Sequence, residues 1–447
     1  MKYDVIILGG GWAGVTASYF LLKSNPNLKI LCIDKASDPG GLLRTIIENG
    51  FIFDVGGSHV IFSKNVKLLR EILSFLKGNA IMNYRRAYVK LNNLLVPYPF
   101  ENGIWVLPRE RRAEILMAYI EALINRIKED GWKPSNLHEW IYGYFGREIA
   151  RIYLEPYNKK IWKRQLEQID VDWVSIPARL PIPDWKKIIK SSIGLRTEGY
   201  VEQARFYYPL KTGIQALYNA VLKKDISMGL KIIYGLKINK IRRVKDRWII
   251  DNRIEAKKLI STIPLNELIK VLQCPEEILK LASMLDSNAV IVVGVALRKT
   301  APKVHWVYVP EENVPFHRYA WISNYSPYNT PDNSKYSTII AEISLPSSKV
   351  EELDKEEVIN SVLEGMMRLG IISESEKEVL FTRIWVNAYG YPVHTFTSNE
   401  AKRRILNYVE ENGIITLGRW GRWNYVNIDR IYEESKKTLA IYFNLKC

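Results

Sequence analysis

Cysteine is scarce in this chain: three residues in 447, Cys32, Cys274 and Cys447, far apart and odd in number. Such spacing offers neither a disulfide framework nor a metal cluster, so no metal is expected, and it suits a reducing, cytoplasmic setting. Long hydrophobic runs are missing too. Stretches such as Ala289–Leu297 are far too short to cross a bilayer, and no transmembrane segment is expected. Val5–Leu8 runs into glycines without a cleavage pattern, as a strand does and a signal peptide does not. There is no G-x-S-x-G elbow, no Walker lysine loop, no zinc motif and no Cys-x-x-Cys. Without an evident nucleophile of its own, the chain would leave its chemistry to a cofactor.

What is present is ordinary in bulk. A hydrophobic content of 47% and a charged content of 25% fit a soluble globular protein, and the length allows two or three domains. The net charge of +16 comes from Lys and Arg spread along the chain with no polybasic tail, so no nucleic-acid partner is expected. It reads as a solvated Lys-rich surface, and also as a field that attracts an anionic small molecule. Peripheral membrane contact stays open.

The informative part is the start. Tyr3–Leu8 reads as a buried strand, and Gly9-Gly10-Gly11-Trp12-Ala13-Gly14 opens a helix directly after it. Gly9, Gly11 and Gly14 have the spacing of a dinucleotide fingerprint: a tight turn, a close approach to a pyrophosphate, and close helix–strand packing. The pyrophosphate would lie on the unpaired N–H groups of a helix start. A second strand, Leu28–Ile33, ends in Asp34, placed to accept the ribose hydroxyls. Gly40-Gly41-Leu42-Leu43-Arg44 follows. Its glycine pair and phosphate-binding arginine make FAD the expected dinucleotide, with Gly41, Leu42 and Arg44 among its contacts.

The rest of the chain alternates. A helix is expected near Val66–Leu76, a β-rich stretch at Arg85–Phe100, and helices from Arg109 to about Trp162. In the first of these, Ile115, Leu116, Tyr119, Ile120, Leu123 and Ile127 form one amphipathic stripe. Residues 165–210, rich in Pro, Trp and Tyr, read as connecting loops. Strands are expected at Lys231–Tyr234, Arg247–Asp251, Leu259–Ser261, Asn288–Leu297, Val304–Val309, Thr338–Ser344 and Ile414–Leu417. Further helices are expected at Thr212–Leu222, Val358–Leu369 and Ile428–Phe443. The expected fold is α/β: a Rossmann-like FAD-binding domain from 1–78, 201–285 and 385–447, a helical insertion over 103–200, and an antiparallel β-sheet domain from 79–102 and 286–384.

Four segments carry candidate chemistry. In Phe53–Phe62, Gly56 and Gly57 let backbone lie near a flat ligand with Ser58 and His59 beside it, although a lone histidine also reads as a core residue. Val96-Pro97-Tyr98-Pro99-Phe100-Glu101-Asn102 is a stiff edge whose rings would sandwich a base, or pack on a helix. In Pro315–Tyr319 and Ser323–Asn329, Arg318 stands among tyrosines apt for a diphosphate, although such loops also serve as domain contacts. In Gly418–Asp429, Asn427 is a good N-cap for the last helix, whose positive end would favour an anionic reduced flavin.

These segments together resemble the UDP-galactopyranose mutase family, closer to its eukaryotic branch. The likeness rests on Asp54–Phe62, Val96–Asn102, Tyr157-Asn158-Lys159-Lys160-Ile161-Trp162, Pro315–Asn329, Tyr391-Pro392 and Gly418–Asp429, in one order along nearly the whole chain. The wider amine oxidase and protoporphyrinogen oxidase superfamily shares only the FAD portions. The resemblance implies an isomerase that interconverts the pyranose and furanose forms of a nucleotide sugar of the UDP-galactose class. It implies reduced FAD, whose N5 attacks the anomeric carbon, kept reduced by an external or NAD(P)H reductant. By position, Arg318 matches the arginine clamping the diphosphate and Arg179 a second clamp. Tyr325, Tyr391, Tyr425 and Asn427 match diphosphate-side contacts, and Tyr98 and Phe100 the pair bracketing uracil. Trp162 matches the substrate wall, His59 the histidine beside the flavin, and Arg419 an arginine near it. Glu101 stands where the family has a glutamine, and a carboxylate cannot donate to a base carbonyl, which leaves the base open. Gln203 stands in place of an asparagine, and Ser58 lengthens the glycine pair. A flavin oxidase or dehydrogenase of the amine oxidase type is the alternative, and a binding protein with a vestigial flavin a third. Homo-oligomerisation is open.

Overall fold

In the computed structural model, residues 1–175, 182–197, 199, 204–373 and 377–444 are described. The expected Arg179 and Gln203, and Cys447, lie outside them. The chain opens with β1 (Lys2–Leu8), α1 (Trp12–Ser24) and β2 (Ile30–Ile33), then a hairpin, β3 (Thr45–Glu48) and β4 (Phe51–Asp54), and α2 (Val66–Ser74). Next come β5 (Ile81–Tyr84), β6 (Ala87–Leu91), β7 (Leu94–Pro97) and a short α3 (Phe100–Gly103). The helical insertion holds α4 (Arg109–Lys128), α5 (Leu137–Ile149), α6 (Glu155–Trp162) and α7 (Trp185–Ser192). Side chains start two of them, α5 and α7: the Asn136 side chain accepts from Glu139 N–H, and that of Asp184 from Lys186 N–H.

The chain then returns through β8 (Arg205–Tyr208), α8 (Gln215–Ser227), β9 (Lys231–Ile233), β10 (Ile241–Val244), β11 (Arg247–Ile250) and β12 (Ile254–Ser261). After α9 (Leu265–Val271) and α10 (Glu276–Ala282) come β13 (Asp286–Leu297), β14 (Trp306–Tyr308), β15 (Arg318–Trp321), β16 (Ser337–Pro346), α11 (Lys355–Arg368) and β17 (Val379–Val393). α12 (Phe396–Glu411), β18 (Ile414–Thr416), α13 (Gly418–Gly421) and α14 (Ile428–Phe443) close it.

Two sheets organise these elements. In the nucleotide-binding sheet the order is β10-β11-β12-β1-β2-β9, with β18 also on β12. β1 pairs in parallel with both β2 and β12, so strands some 250 residues apart lie side by side. Both faces of β1 are covered: Val5 and Ile7 join one core, Ile6 and Leu8 another. In the second sheet the order is β17-β13-β16-β15-β14-β6-β7, antiparallel except for the parallel pair β14 and β6. A third core fills the space between this sheet and α11, with Val293, Val307, Phe316, Val362 and Met366.

Several expectations need correction. Residues 165–210 are not all loop, since they contain α7 and β8. β5 leaves the 79–102 segment to pair with β8 instead of the larger sheet. The expected boundary at 384/385 falls inside β17, which stays paired to β13 as far as Asp286↔Val393. The apolar stripe of α4 is divided: Ile115 and Tyr119 are buried, while Ile120 and Ile127 are exposed. Among the described residues no helix is long and apolar enough to cross a membrane.

Candidate functional site

The expected dinucleotide turn sits at the carboxyl ends of β1 and β2, where open α/β sheets bind ligands. Gly11 is the N-cap of α1, with no side chain capping it and no acid in the first turn, so the helix start keeps its donors. A methyl group on Gly14 would come within 2.0 Å of the Gly9 carbonyl oxygen, which is why helix and strand can meet only through glycine. A methyl group on Gly11 would meet nothing within 4 Å. Gly41 faces it, its own added carbon 3.4 Å from Gly11 Cα, and Arg44 keeps a buried Nε–H with no hydrogen-bond partner. This open cradle of backbone and guanidinium fits a pyrophosphate. Asp34 accepts from Gly10 N–H (2.7 Å) and Ala36 N–H (2.9 Å), a half-buried carboxylate at the tip of β2. Leu42 backs the second cradle, its carbonyl lying against Gly56.

Two features of this turn escaped sequence reading. The Thr262 hydroxyl donates to the Leu8 and Gly9 carbonyls, 2.9 and 3.0 Å away, and closes the end of β1. Gly418, at φ +79°, lets α13 lie against Ala13 of α1, where an added carbon would stand 2.5 Å from the Ala13 methyl. The Gly-Arg-Trp-Gly segment is therefore a packing device for the turn as well as a source of Arg419.

A cleft of about 1140 Å³, part of it open to solvent, lies against the second sheet and residues 419–428, whose α13 packs on the helix of the turn. Its walls include Ser58, His59, Tyr98, Arg318, Tyr391, Arg419, Tyr425 and Asn427 from the expected set. They also include Arg85, Arg205, Trp306, Tyr308 and Glu342, which sequence reading did not single out. Four arginines thus face one carboxylate. Phe100, Glu101, Trp162 and Tyr325 are not in the wall. Phe100 and Glu101 are buried on α3, with Phe100 packed 5.2 Å from the Tyr153 ring. Trp162 is buried one layer back, 6.3 Å from the Tyr391 ring and 6.1 Å from that of Tyr425. Tyr325 is fully buried, with its hydroxyl 2.5 Å from Ser58 Oγ.

The second sheet sets the charged wall. Arg318 and Glu342 lie opposite each other in register on β15 and β16. Arg318 Nε and Nη2 donate to the two Glu342 oxygens, at 3.0 and 2.6 Å. Glu342 also accepts from Ser58 N–H at 2.9 Å and is 1% exposed. Burial alone would raise its pKa; the Arg318 guanidinium more than offsets this and holds the carboxyl below its ordinary range. A lone acid within the apolar run of β16 was the available signal for such a buried partner.

His59 lies beside this pair. Its Nδ1 donates to the Gly57 carbonyl at 3.0 Å, which leaves Nε2 as the acceptor. Burial, aided by the Arg419 guanidinium, lowers its pKa to about 4, so the ring is neutral at neutral pH. Arg419 donates to the Val426 carbonyl through Nε and Nη2, at 3.1 and 2.9 Å, and lies 5.0 Å from the Tyr425 ring centre. Tyr425 and Tyr391 meet edge to face at 5.2 Å. Asn427 holds the N-cap position of α14, without a capping side-chain hydrogen bond. On the far wall Arg85 stacks between Tyr98 and Trp306, at 4.5 and 5.1 Å, with Tyr308 4.9 Å from Tyr98. Among the described residues no group of His, Cys, Asp and Glu could hold a metal ion.

The family of NAD(P)-binding Rossmann-like domains matches residues 7–76. A UDP-galactopyranose mutase from Mycoplasma pneumoniae is 23% identical over 182 residues, 38% of this chain and 43% of that protein. Human protoporphyrinogen oxidase is 23% identical over 331 residues, 66% of each. The chain thus spans less than two thirds of the curated relatives it matches. A crystal structure of reduced UDP-galactopyranose mutase superimposes on 99% of this chain and 96% of its own, at 24% identity and a TM-score of 0.88. At that identity the likeness carries the fold: a Rossmann-like nucleotide-binding domain with a helical insertion and a largely antiparallel sheet, an architecture shared with a UDP-galactopyranose mutase.

Proposed function

We propose that the chain is an FAD-dependent isomerase that interconverts the pyranose and furanose forms of a nucleotide sugar, UDP-galactopyranose and UDP-galactofuranose in the first instance. The observation that carries this reading is the cleft itself: four arginines against one carboxylate, with one wall formed by residues 419–428, whose α13 packs on the helix of the dinucleotide turn. A diphosphate leaving group has the charge that such a wall attracts.

In this reading Gly9, Gly11, Gly14, Gly41, Leu42 and Arg44 cradle the cofactor pyrophosphate, and Asp34 takes the ribose hydroxyls. Gly57, Ser58 and His59 line the flat ring system, with Arg419 and Asn427 near it. Bound in its reduced form, FAD would supply a nucleophilic nitrogen for reversible exchange with the diphosphate at the anomeric carbon, the sugar ring reclosing through another hydroxyl before the diphosphate returns and frees the nitrogen. The protein's own contribution is electrostatic. Arg318, with Arg179 as its partner, grips the diphosphate; Tyr391 and Tyr425 bond to it, and Tyr325 holds Ser58 from behind. Tyr98 stacks on the base, and Phe100, Glu101 and Gln203 support that end. Trp162 stiffens the tyrosine wall. A neutral His59 adds no cation beside the ring and offers Nε2 as an acceptor. The reductant is an external donor or NAD(P)H.

The test is direct. The purified protein, reduced with dithionite under anaerobic conditions, is given UDP-galactopyranose, and the furanose form is sought by chromatography. Its appearance, lost in Arg318→Ala, supports the proposal; its absence with a flavin-loaded protein overturns it. The likeness to porphyrinogen oxidases supports a second reading, an FAD-dependent oxidase in which the same arginines bind substrate carboxylates. Oxygen consumption with a porphyrinogen and no sugar isomerisation would favour that one.

A further inference from the structure

The resemblance sets Tyr325 among the contacts of a diphosphate, yet the Tyr325 ring is fully buried and stands outside the cleft wall. It is fixed there. The rings of Phe206, Tyr208 and His305 meet it edge-on at 5.4, 5.3 and 5.8 Å, and Asn83 Nδ2 donates to its carbonyl at 2.9 Å. Its hydroxyl meets the cleft wall at Ser58, the residue that lengthens the glycine pair. Gly57 allows this placement. At φ +99°, with an added carbon only 3.0 Å from Glu342 Oε2, it turns the chain so that Ser58 N–H donates to Glu342 Oε1 at 2.9 Å. The same oxygen accepts from Arg318 Nε at 3.0 Å. Ser58 and Arg318 are therefore neighbours on one carboxylate oxygen.

The two hydroxyls have a direction. Tyr325 Oη and Ser58 Oγ are 2.5 Å apart, and among the described residues neither has another hydrogen-bond partner. Burial raises the phenol well above its ordinary pKa, against the Ser58 hydrogen bond and the Arg318 guanidinium, so it keeps its proton. A fully buried O–H left undonated is costly, whereas half-buried Ser58 has the cleft to donate into. Tyr325 is thus the donor of the pair, and the Ser58 O–H is left to face the cleft. We propose, on the reading that a nucleoside diphosphate binds against Arg318, that Ser58 is the hydroxyl this chain presents to it. Ser58 donates to an anionic diphosphate oxygen beside the Nη1 side of Arg318, and Tyr325 is the positioning residue that aims it. A neutral donor next to a guanidinium suits an oxygen that gathers charge as the leaving group departs.

The test is UDP binding to the reduced, flavin-loaded protein, read by fluorescence titration across Ser58→Ala, Tyr325→Phe and the two combined. Ser58→Ala should weaken UDP about tenfold, the loss of one hydrogen bond to a charged group, with the flavin content and absorbance of wild type. Ser58→Thr, which keeps the hydroxyl, should recover most of the affinity. Tyr325→Phe should weaken UDP about threefold while Ser58 is present, and not at all once Ser58 is alanine. Inorganic pyrophosphate should follow the same pattern, since the contact is to phosphate and not to the base. Losses that add in the double variant would make Tyr325 a contact in its own right and overturn the inference. So would a Ser58→Ala protein that binds UDP like wild type, or one whose flavin spectrum shifts while UDP binding holds, which would place the hydroxyl on the cofactor. A wild type that binds neither UDP nor pyrophosphate would overturn the diphosphate reading as well, whereas failure of the variants alone leaves that reading standing.

Discussion

Arg318 and Glu342 form a directly registered cross-strand pair that closes a two-point ion pair within the cleft wall. The arginine proposed to grip a ligand is thus already held by a carboxylate, with its Nη1 donors outside that fork. Breaking a buried pair leaves an uncompensated charge and costs about 3–5 kcal/mol. Arg318→Met is therefore expected to lower chemical stability by that order. Arg318→Met with Glu342→Met should recover most of it, while neither variant binds UDP in a fluorescence titration. If the double variant bound UDP like wild type, the guanidinium would have no ligand role.

The two fingerprint glycines should fail differently. Gly11→Ala meets nothing in the fold, so the protein should melt like wild type yet hold FAD roughly tenfold or more weakly. Gly14→Ala drives a methyl group into the Gly9 carbonyl and should lower the melting temperature itself. Absorbance of the bound flavin beside a thermal melt reads both. Full flavin content in Gly11→Ala would remove that cradle from the proposal.

His59 gives a pH signature. Its folded pKa, about 4, lies below the ordinary 6.5, so between these values the unfolded chain binds more protons than the fold. Its contribution, on the order of 3 kcal/mol, is fully present above pH 6.5 and is lost as the pH falls toward 4. Stability should therefore rise with pH through that window, with a shallower slope in His59→Gln. The imidazole resonance should stay flat between about pH 5 and 8. A resonance titrating near 6.5 would contradict the environment described.

Lys160, buried on α6, donates from Nζ to the carbonyls of Val309, Glu311 and Phe316, at 3.0, 2.7 and 2.8 Å. These carbonyls lie on the connection from β14 to β15, so one ammonium ties the helix of Trp162 to the hairpin of Tyr308 and Arg318. Lys160→Met strands all three carbonyls and should cost about 2–4 kcal/mol by urea denaturation. Lys160→Arg should recover part of it. Unchanged stability in Lys160→Met would mean that water serves these carbonyls equally well.

Much of the fold can be read from local chemistry. A glycine turn between buried strands has few alternative conformations, and α14 spans Ile428–Phe443, the expected range. The misreadings have nonlocal causes. α7 is eight residues long and set among Pro and Trp, so its capping Asp184 was the sole clear cue. β15 read as a ligand loop because its strand character comes from pairing with β16, not from its own four residues. Arg85, Trp306 and Tyr308 reach the cleft only because β6 lies beside β14, a neighbour two hundred residues away. The α4 stripe was read as one face because periodicity cannot tell a buried position from an exposed one.

The nucleotide-binding sheet draws β1, β12 and β18 from opposite ends of the chain, and the Trp12 indole donates to the Ile428 carbonyl at 3.0 Å. β1 lacks its β12 neighbour until residue 261 has left the ribosome, and β12 lacks β18 until residue 416 has. The sheet therefore stays incomplete for most of synthesis, and a nascent chain would need chaperone shelter meanwhile.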